Sequence, residues 1–163
     1  MSLLTAAEAA EKRNKKRQEG ETVVFTNGCF DLLHSGHLHL FQQARQQGDY
    51  LVVGLNSDES VQRLKGKSRP LQPAEERAEL IDALEPVDDV VIFSEDTPLQ
   101  LLEKLCPDVL VKGADYKKSE IVGAELVESE GGRVHRGKLK AGRGTSELIA
   151  RVLQAHGWTT DDG

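Results

Sequence analysis

The stretch of sequence that decides the fold lies near the start of the chain. It reads Phe25-Thr26-Asn27-Gly28-Cys29-Phe30-Asp31-Leu32-Leu33-His34-Ser35-Gly36-His37. Val23, Val24 and Phe25 together predict a buried strand. The strand is expected to end at Asn27-Gly28, and a helix is expected over about residues 36–47. A turn from a strand into a helix presents free backbone N–H groups and the positive end of the helix dipole. The stretch therefore predicts a site for an anion such as a phosphate group.

Strand and helix signals alternate along the rest of the chain. Short apolar runs predict further strands at residues 50–55, 90–93, 109–112 and 133–135. Helices are expected at residues 73–84, 97–106 and 123–130, and from a cap at Thr145 or Ser146 toward residue 156. This alternation predicts an α/β fold, a Rossmann-like doubly wound sheet of about five parallel strands with helices on both faces. Ligands of such sheets bind beyond the carboxyl ends of the strands.

Length and charge limit the organisation of the chain and its classes of function. With 163 residues, we expect one domain over residues 21–158, a helical leader over 1–20 and a disordered tail over 159–163. The sequence leaves open whether the leader, with its helical stretch at 3–18, docks on the domain, pairs between subunits or frays. A net charge of −6 argues against a general nucleic-acid binder. Without a signal peptide or a long apolar run, a cytoplasmic protein with no membrane segment is expected.

The motifs of several common kinds of site are missing from the sequence. Cys29 and Cys106 stand outside any CxxC or Cys/His cluster, so neither a disulfide framework nor a structural zinc site is expected. No GxGxxG follows the first strand, so the dinucleotide fingerprint is missing. Gly66-Lys67-Ser68 resembles the end of a P-loop, but Val61 stands where that motif needs glycine. The phosphate site predicted at the first turn is therefore of another kind.

Three residues of the opening stretch carry a resemblance to a known family. Phe-Asp-x-x-His-x-Gly-His, with His34, Gly36 and His37, resembles the signature of the HxGH nucleotidyltransferases, the cytidylyltransferase-like family. In that family the paired histidines contact the nucleotide phosphates and stabilise the charge that develops on the α-phosphate. The resemblance implies that His34 and His37 are catalytic. Taken singly, His34 also fits a surface loop residue, and His37 fits a helix residue with its hydrogen bonds satisfied.

The resemblance extends over about residues 20–153 and becomes more specific. Further blocks, at residues 56–58, 63–70, 77, 111–116 and 142–146, are similar in order and spacing to the bacterial D-glycero-β-D-manno-heptose 1-phosphate adenylyltransferases. The resemblance implies that Lys65 is a third catalytic residue. The implied nucleotide contacts are Thr26, Asn27, Gly28, Cys29, Phe30, Gly36, Arg77, Gly113, Asp115, Tyr116, Gly144, Thr145 and Ser146. The implied substrate contacts are Asp31, Asn56, Asp58, Arg69 and Lys112.

Four of these assignments have structural alternatives. Lys65 either clamps the triphosphate or belongs to a solvated basic loop. Arg77 either grips phosphate with its planar fork or forms a surface ion pair with a neighbouring glutamate. Asp58 either binds a sugar hydroxyl or caps a helix. Tyr116 either contacts a ligand or packs against the domain.

The block before the last predicted helix departs from the family pattern. Members usually carry Ser-Thr-Thr, whereas this chain has Gly144-Thr145-Ser146 and lacks the first hydroxyl. A hydrogen bond to a charged group contributes roughly 1.5–3 kcal/mol, so phosphate affinity is expected to fall unless Arg143 or Lys140 compensates. Ala114 also replaces a glycine that is common in the family. These departures leave open a nucleotide-binding module without turnover.

The reaction that the resemblance implies needs no protein nucleophile. The anionic oxygen of a sugar 1-phosphate attacks the α-phosphorus of ATP and gives pyrophosphate and ADP-heptose, a precursor of the lipopolysaccharide inner core. Mg²⁺ is expected to arrive on the phosphates of ATP, with no metal site made wholly of protein ligands. A separate sugar kinase is expected upstream, and family members commonly form homodimers. The nearest alternative enzyme is a cytidylyltransferase that acts on glycerol 3-phosphate.

Overall fold

The computed structural model describes residues 3–158, which form one parallel sheet with helices on both faces. The strands are β1 (Leu3–Leu4), β2 (Val23–Gly28), β3 (Tyr50–Asn56), β4 (Asp89–Phe93), β5 (Val109–Gly113) and β6 (Arg133–Gly137). The helices are α1 (Ala6–Gln18), α2 (Ser35–Arg45), α3 (Asp58–Lys65), α4 (Ala74–Asp82), α5 (Leu99–Leu105), α6 (Ala124–Ser129) and α7 (Thr145–Ala155). A short 3-10 helix lies at Lys118–Glu120.

The strand order is β1-β4-β3-β2-β5-β6, and every neighbouring pair is parallel. The predicted Rossmann-like α/β fold is confirmed, and residues 3–158 contain six strands in place of about five. The tail predicted at residues 159–163 lies outside the described residues. Within the described part of the chain, no helix combines the length and apolar character needed to cross a membrane.

Alternate strand residues face opposite sides of the sheet and build two cores. Val23 and Phe25 pack on the side covered by α1, α5 and α6, whereas Val24 packs on the side covered by α2 and α4. All seven residues of β3 are buried. Because helices cover both faces, continuous apolar runs mark these strands in the sequence.

The N-terminal segment differs from its prediction as a helix over residues 3–18. Leu3 and Leu4 pair with β4 as a parallel edge strand, and α1 begins only after Thr5. The Thr5 hydroxyl accepts a hydrogen bond from the Glu8 backbone N–H, and the Glu8 carboxylate accepts one from the Thr5 backbone. This capping box is visible in the sequence as Thr-x-x-Glu and marks the true start of the helix.

Two further helix starts differ from the predictions. Helix α3 is absent from the predicted elements, and Ser57 caps it by accepting the Ser60 N–H, so Asp58 is not its cap. Gly144 occupies the cap position of α7, so the expected cap at Thr145 or Ser146 is wrong. The remaining helices and strands lie within a few residues of their predicted positions.

The leader docks on the domain through buried polar contacts. The Lys12 ammonium lies 2.8 Å from a carboxylate oxygen of Asp89, which is fully buried, and the Tyr50 hydroxyl donates to the other oxygen. Burial and this hydrogen bond raise the pKa of Tyr50. Ala9 is buried in the core beneath α1. Of the three roles left open for the leader, the structure shows docking on its own domain.

Replacing Lys12 tests this docking. Lys12→Met is expected to lower the free energy of unfolding by about 1–3 kcal/mol, because Asp89 stays buried with one partner fewer. Lys15→Met, at an exposed position of the same helix, is the matched control and should change it by less than about 0.5 kcal/mol. Urea unfolding followed by circular dichroism gives both values. Equal losses in the two variants would contradict a specific role for the Lys12–Asp89 pair.

Candidate active site

A cleft opens at the carboxyl ends of the strands, where the strand order reverses. The chain places β3 and β4 on one side of β2 and then β5 and β6 on the other, so the switch point lies between β2 and β5. Open α/β sheets bind their ligands at this point. The cleft has a volume of about 880 Å³, within the range of roughly 300–1,000 Å³ that is usual for small-molecule sites.

Most of the residues predicted for the site line this cleft. They are Asn27, Gly28, Cys29, Phe30, Asp31, His34, Gly36, His37, Asn56, Lys65, Arg69, Lys112, Gly113, Asp115, Tyr116, Gly144, Thr145 and Ser146. The structure does not place Thr26, Asp58 or Arg77 among the lining residues. The predicted stretches therefore converge on one place, although they come from five separate parts of the chain.

The two histidines stack on each other at the start of α2. His34 is the cap residue of this helix, and its Nδ1 accepts the Gly36 backbone N–H at 3.1 Å. Its ring lies 3.7 Å from that of His37, centroid to centroid, at an angle of 27°. The rings of His37 and Phe30 lie 5.2 Å apart, centroid to centroid, in a T-shaped arrangement. Because Nδ1 accepts the Gly36 N–H, a neutral His34 carries its proton on Nε2. The Nε2–H group can therefore donate a hydrogen bond.

Both imidazoles are held in the neutral form. Burial lowers the pKa of His34. Burial and the neighbouring His34 lower the pKa of His37 to about 4, with Asp31 acting in the opposite direction. The Nδ1 atom of His37 is buried and has no hydrogen-bond partner in the described chain. The pair therefore offers oriented dipoles at neutral pH, and an anion bound beside it would favour protonation.

The start of α7 meets the start of α2 at this position. A methyl group at Gly36 would come within 2.6 Å of the Arg143 backbone oxygen, so only glycine permits this approach. The Thr145 hydroxyl donates to the Asp31 backbone oxygen at 3.0 Å. Two helix N-termini thus point into one region of the cleft, with the stacked histidines beside them. Such an arrangement favours an extended anion.

The structure shows which hydroxyls of the altered block Gly144-Thr145-Ser146 are already engaged. Gly144 gives α7 no side-chain cap, and the Thr145 hydroxyl is used to hold the Asp31 carbonyl. Ser146 is exposed in the cleft. Of the two hydroxyls in this block, the one on Ser146 is therefore available to a ligand, together with the backbone N–H groups of the first turn.

The Asp31 carboxylate organises the loop that precedes α4. It is only 1% exposed and accepts hydrogen bonds from Arg69 Nε at 2.7 Å, Leu71 N at 2.8 Å and Gln72 N at 3.1 Å. Burial alone would raise the pKa of Asp31, but these hydrogen bonds hold it below its usual value. Three hydrogen bonds from the chain itself already engage this carboxylate, while Asp31 lies in the cleft lining, so its contact with a substrate stays a prediction. Arg69 keeps its place in the cleft lining.

Arg77 lies beneath the cleft, where its guanidinium is fully buried. It donates to the backbone oxygens of Gln72, Cys29 and Asn56 at 2.9, 2.6 and 2.9 Å, and to the Asp58 carboxylate at 2.7 Å. The prediction that Arg77 grips phosphate is therefore wrong, and so is the alternative of a surface pair with a neighbouring glutamate. Asp58 serves as the counter-charge of Arg77 and not as a sugar ligand.

Thr26 is the third predicted residue outside the cleft. Its side chain is fully buried in β2, and its hydroxyl donates to the Val111 backbone oxygen at 2.9 Å. This bond joins β2 to β5 just below the switch point. A nucleotide contact from the Thr26 side chain is therefore contradicted, and a role in holding the two strands together replaces it.

Lys112 is a mostly buried cation at the end of β5. Its Nζ donates to the Asn27 backbone oxygen at 3.0 Å and lies 5.3 Å from the centroid of the Tyr116 ring. Burial lowers the pKa of Lys112 to about 8, while Cys29 and Asp115 act in the opposite direction. Tyr116 is 44% exposed, so packing against the domain does not account for it.

A basic segment lies at the rim of the cleft; its Lys140 and Arg143 are predicted from the sequence only as compensation for the missing hydroxyl, and Lys138 is not predicted at all. Lys138, Lys140 and Arg143 line the cleft on the chain between β6 and α7. Gln43 of α2 fixes the start of this segment, because its side chain accepts the Lys138 N–H at 2.7 Å and donates to the Lys138 oxygen at 2.8 Å. The signal in the sequence was the absence of any Asp or Glu over residues 131–144.

The fold and the cleft define the class of this protein as a nucleotidyltransferase. A family model described as cytidylyltransferase-like matches residues 25–133, and the chain belongs to this family. The matched residues include most of β2, the HxGH turn at residues 34–37 and β5, and so both sides of the switch point at which the cleft lies.

Relatives and a solved structure agree with this assignment. The "Bifunctional protein HldE" of Syntrophotalea carbinolica is 56% identical over 141 residues, which cover 86% of this chain and 29% of that protein. The protein of the same name from Geobacter sulfurreducens is 54% identical over 157 residues, covering 96% and 31%. This chain thus spans about 30% of the length of these curated relatives. The crystal structure of the lipopolysaccharide core biosynthesis protein from Thermoplasma volcanium GSS1 has a TM-score of 0.61 and 28% identity, covering 74% of this chain and 98% of that one.

Arg77→Met tests the buried guanidinium. The variant is expected to lower the free energy of unfolding by about 3–5 kcal/mol, because it leaves three carbonyls and the Asp58 carboxylate without their donor. Arg17→Met, at an exposed position of α1, is the matched control and should have little effect. Urea unfolding measures both. A loss below about 1 kcal/mol would show that the three loops do not depend on this side chain.

His37 makes stability depend on pH. Its pKa is about 4 in the folded chain against an ordinary 6.5, so between these values the unfolded chain binds more protons. The free energy of unfolding therefore falls as the pH drops from 7 to 4, by up to about 3 kcal/mol through this residue. In His37→Gln this fall should be smaller by about that amount, as urea unfolding at the two pH values will show. His156→Gln, at an exposed position, is the control and should keep the original pH dependence.

Proposed function

We propose that this chain is an adenylyltransferase that transfers AMP from ATP to D-glycero-β-D-manno-heptose 1-phosphate, giving ADP-heptose and pyrophosphate. The observation that carries the transfer step is the meeting of the α2 and α7 N-termini around the stacked His34 and His37. This is a place for the phosphates of a nucleotide, because the positive ends of two helix dipoles meet there beside two imidazoles that can donate hydrogen bonds.

In the proposed mechanism, the protein aligns two anions and stabilises the charge that develops between them. A phosphate oxygen of the sugar attacks the α-phosphorus in line with the departing pyrophosphate, so no side chain becomes covalently attached. His34 and His37 would donate hydrogen bonds to the phosphates, and Lys65, at the end of α3, would offset the charge on the leaving pyrophosphate. These donors are fixed before the substrates arrive, which reduces the reorganisation needed during the reaction.

Mg²⁺ would enter with ATP in this proposal. The ion prefers oxygen ligands and keeps several of its waters, so phosphates and one or two carboxylates suffice to bind it. Asp115 and Glu147 are carboxylates of the cleft lining that fit this need. When bound, the ion would neutralise part of the phosphate charge. Among residues 3–158, no three His, Cys, Asp or Glu side chains are grouped to hold a metal by themselves.

The choice of acceptor and nucleotide draws on two kinds of support. The blocks at residues 63–70 and 111–116, which both reach the cleft, carry the resemblance to heptose 1-phosphate adenylyltransferases. The second support is the names of similar proteins. The solved structure is named as a lipopolysaccharide core biosynthesis protein, and the relatives are named as bifunctional proteins. In such a pathway a sugar kinase would supply the acceptor. The family description, cytidylyltransferase-like, favours CTP and glycerol 3-phosphate as the second candidate pair.

Pyrophosphate release by the purified chain with Mg²⁺ tests the proposal. ATP and CTP are each combined with heptose 1-phosphate and with glycerol 3-phosphate, and the products are identified by mass. Turnover is expected with ATP and heptose 1-phosphate alone. His37→Ala should lower kcat roughly 100- to 1,000-fold, because one oriented donor beside the reacting phosphate is lost.

His39→Ala is the matched control for this measurement. His39 lies on the same helix but outside the cleft lining, so its replacement should leave kcat within about twofold of the original. Turnover with CTP and glycerol 3-phosphate would keep the class of enzyme and reject the proposed substrates. Equal losses in the two histidine variants would reject a direct role for His37.

A further inference from the structure

The side chain of Gln43 holds the backbone of Lys138 by two hydrogen bonds. Its Oε1 accepts the Lys138 N–H at 2.7 Å, and its Nε2 donates to the Lys138 oxygen at 2.8 Å. Gln43 lies on α2, whereas Lys138 directly follows β6. A primary amide carries a donor and an acceptor side by side, so it can pair with both polar groups of one backbone residue. The pair of bonds fixes the direction in which the chain leaves the sheet.

The basic segment, residues 138–143, is held at its far end by other contacts. The Arg143 backbone oxygen lies against Gly36, and the Thr145 hydroxyl donates to the Asp31 backbone oxygen. Within residues 3–158, the residues between the two anchors, 139–142, make no hydrogen bond. The near half of the segment therefore depends on Gln43 for its position.

The basic segment carries cations that have no counter-charge. Lys138, Lys140 and Arg143 line the cleft, and none of them forms an ion pair within the described residues 3–158. A cation binds an anion more strongly when its backbone is already fixed, because less conformational entropy is lost on binding. The position of this backbone therefore affects how strongly the three side chains can bind an anionic ligand.

Helix α2 connects the basic segment to the histidine pair. Gln43 lies six residues after His37 on this helix, which is about 9 Å along the helix axis. One helix thus fixes His37 and, through Gln43, the start of the lysine-bearing chain. The two groups of donors keep a constant separation, as an extended anion that contacts both of them requires.

We propose that Gln43 is a positioning residue that presents Lys138 and Lys140 to the polyphosphate of the nucleotide. Gln43 is outside the cleft lining and acts only through the backbone of the basic segment. Arg143 is anchored by its contact with Gly36 and is independent of Gln43. This inference rests on the proposed function, since it assigns a nucleotide to the cleft. Lysines fixed in this way would compensate for the hydroxyl that the block before α7 lacks.

Calorimetric titration of the full chain with α,β-methylene ATP and Mg²⁺ tests this role. Gln43→Met is expected to weaken binding roughly 3- to 10-fold, because Lys138 and Lys140 lose their fixed backbone. Gln42→Met, at an exposed position of the same helix, is the matched control and should bind within about twofold of the original. Thermal unfolding followed by circular dichroism shows that the variants are folded. Unchanged affinity in Gln43→Met would overturn the proposal.

A double-mutant cycle separates this role from a general effect on α2. In the Lys138→Met/Lys140→Met background, Gln43→Met should change the affinity by less than about twofold, because the side chains that it positions are gone. In the Arg143→Met background, the loss of roughly 3- to 10-fold should remain, because Gln43 does not hold Arg143. Equal losses in all three backgrounds would overturn the proposal and show that Gln43 acts through the fold of α2.

Binding and turnover report separately on Gln43 and on the proposed function. Coupling between Gln43 and the two lysines without pyrophosphate release would uphold the positioning role and reject the proposed reaction. Pyrophosphate release without this coupling would keep the reaction and overturn the role of Gln43. Failure of the unmodified chain to bind the analogue would overturn both.

Discussion

The buried guanidinium of Arg77 is the interaction on which the cleft depends. Its donors hold the turn after β2 at Cys29, the end of β3 at Asn56 and the loop before α4 at Gln72. These three connections approach the carboxyl edge of the sheet separately, and one planar fork joins them. Arginine suits this task because it keeps its charge and presents five N–H bonds in a fixed plane. Asp58 supplies the counter-charge without which such burial would cost several kcal/mol.

Asp31 performs the complementary task on the open side of the same turn. Its carboxylate fixes the loop that carries Arg69, and its backbone oxygen accepts the Thr145 hydroxyl from α7. Arg77 and Asp31 together make the HxGH turn a rigid platform on which the α2 and α7 N-termini meet. Donors fixed in this way need little reorganisation when negative charge develops, which is the main requirement of nucleotidyl transfer.

The cleft contains neutral histidines and charged lysines side by side. His34 and His37 are neutral because burial lowers their pKa values, so at neutral pH they present oriented N–H bonds in place of positive charges. Lys65, Lys138 and Lys140 supply cations in the same cleft, while the chain as a whole carries a net charge of −6. In the proposed function, these lysines would attract the phosphate groups of the substrates, while Asp96, Asp115, Glu120 and Glu147 lie in the same lining. Lys112 differs from these lysines because burial lowers its own pKa to about 8.

The sequence by itself determined the parallel α/β fold, the histidine turn and most of the residues that line the cleft. It could do so because apolar runs, glycine turns and the HxGH spacing are local patterns. Only the tertiary structure decided what Arg77, Asp31 and Thr26 do, because a residue's type does not reveal which distant backbone atoms its side chain will reach. The same holds for the edge strand at Leu3–Leu4, which exists only because β4 offers it unpaired backbone groups. Local propensity sets the elements, but contacts between residues far apart in sequence decide which polar side chains remain free for a ligand.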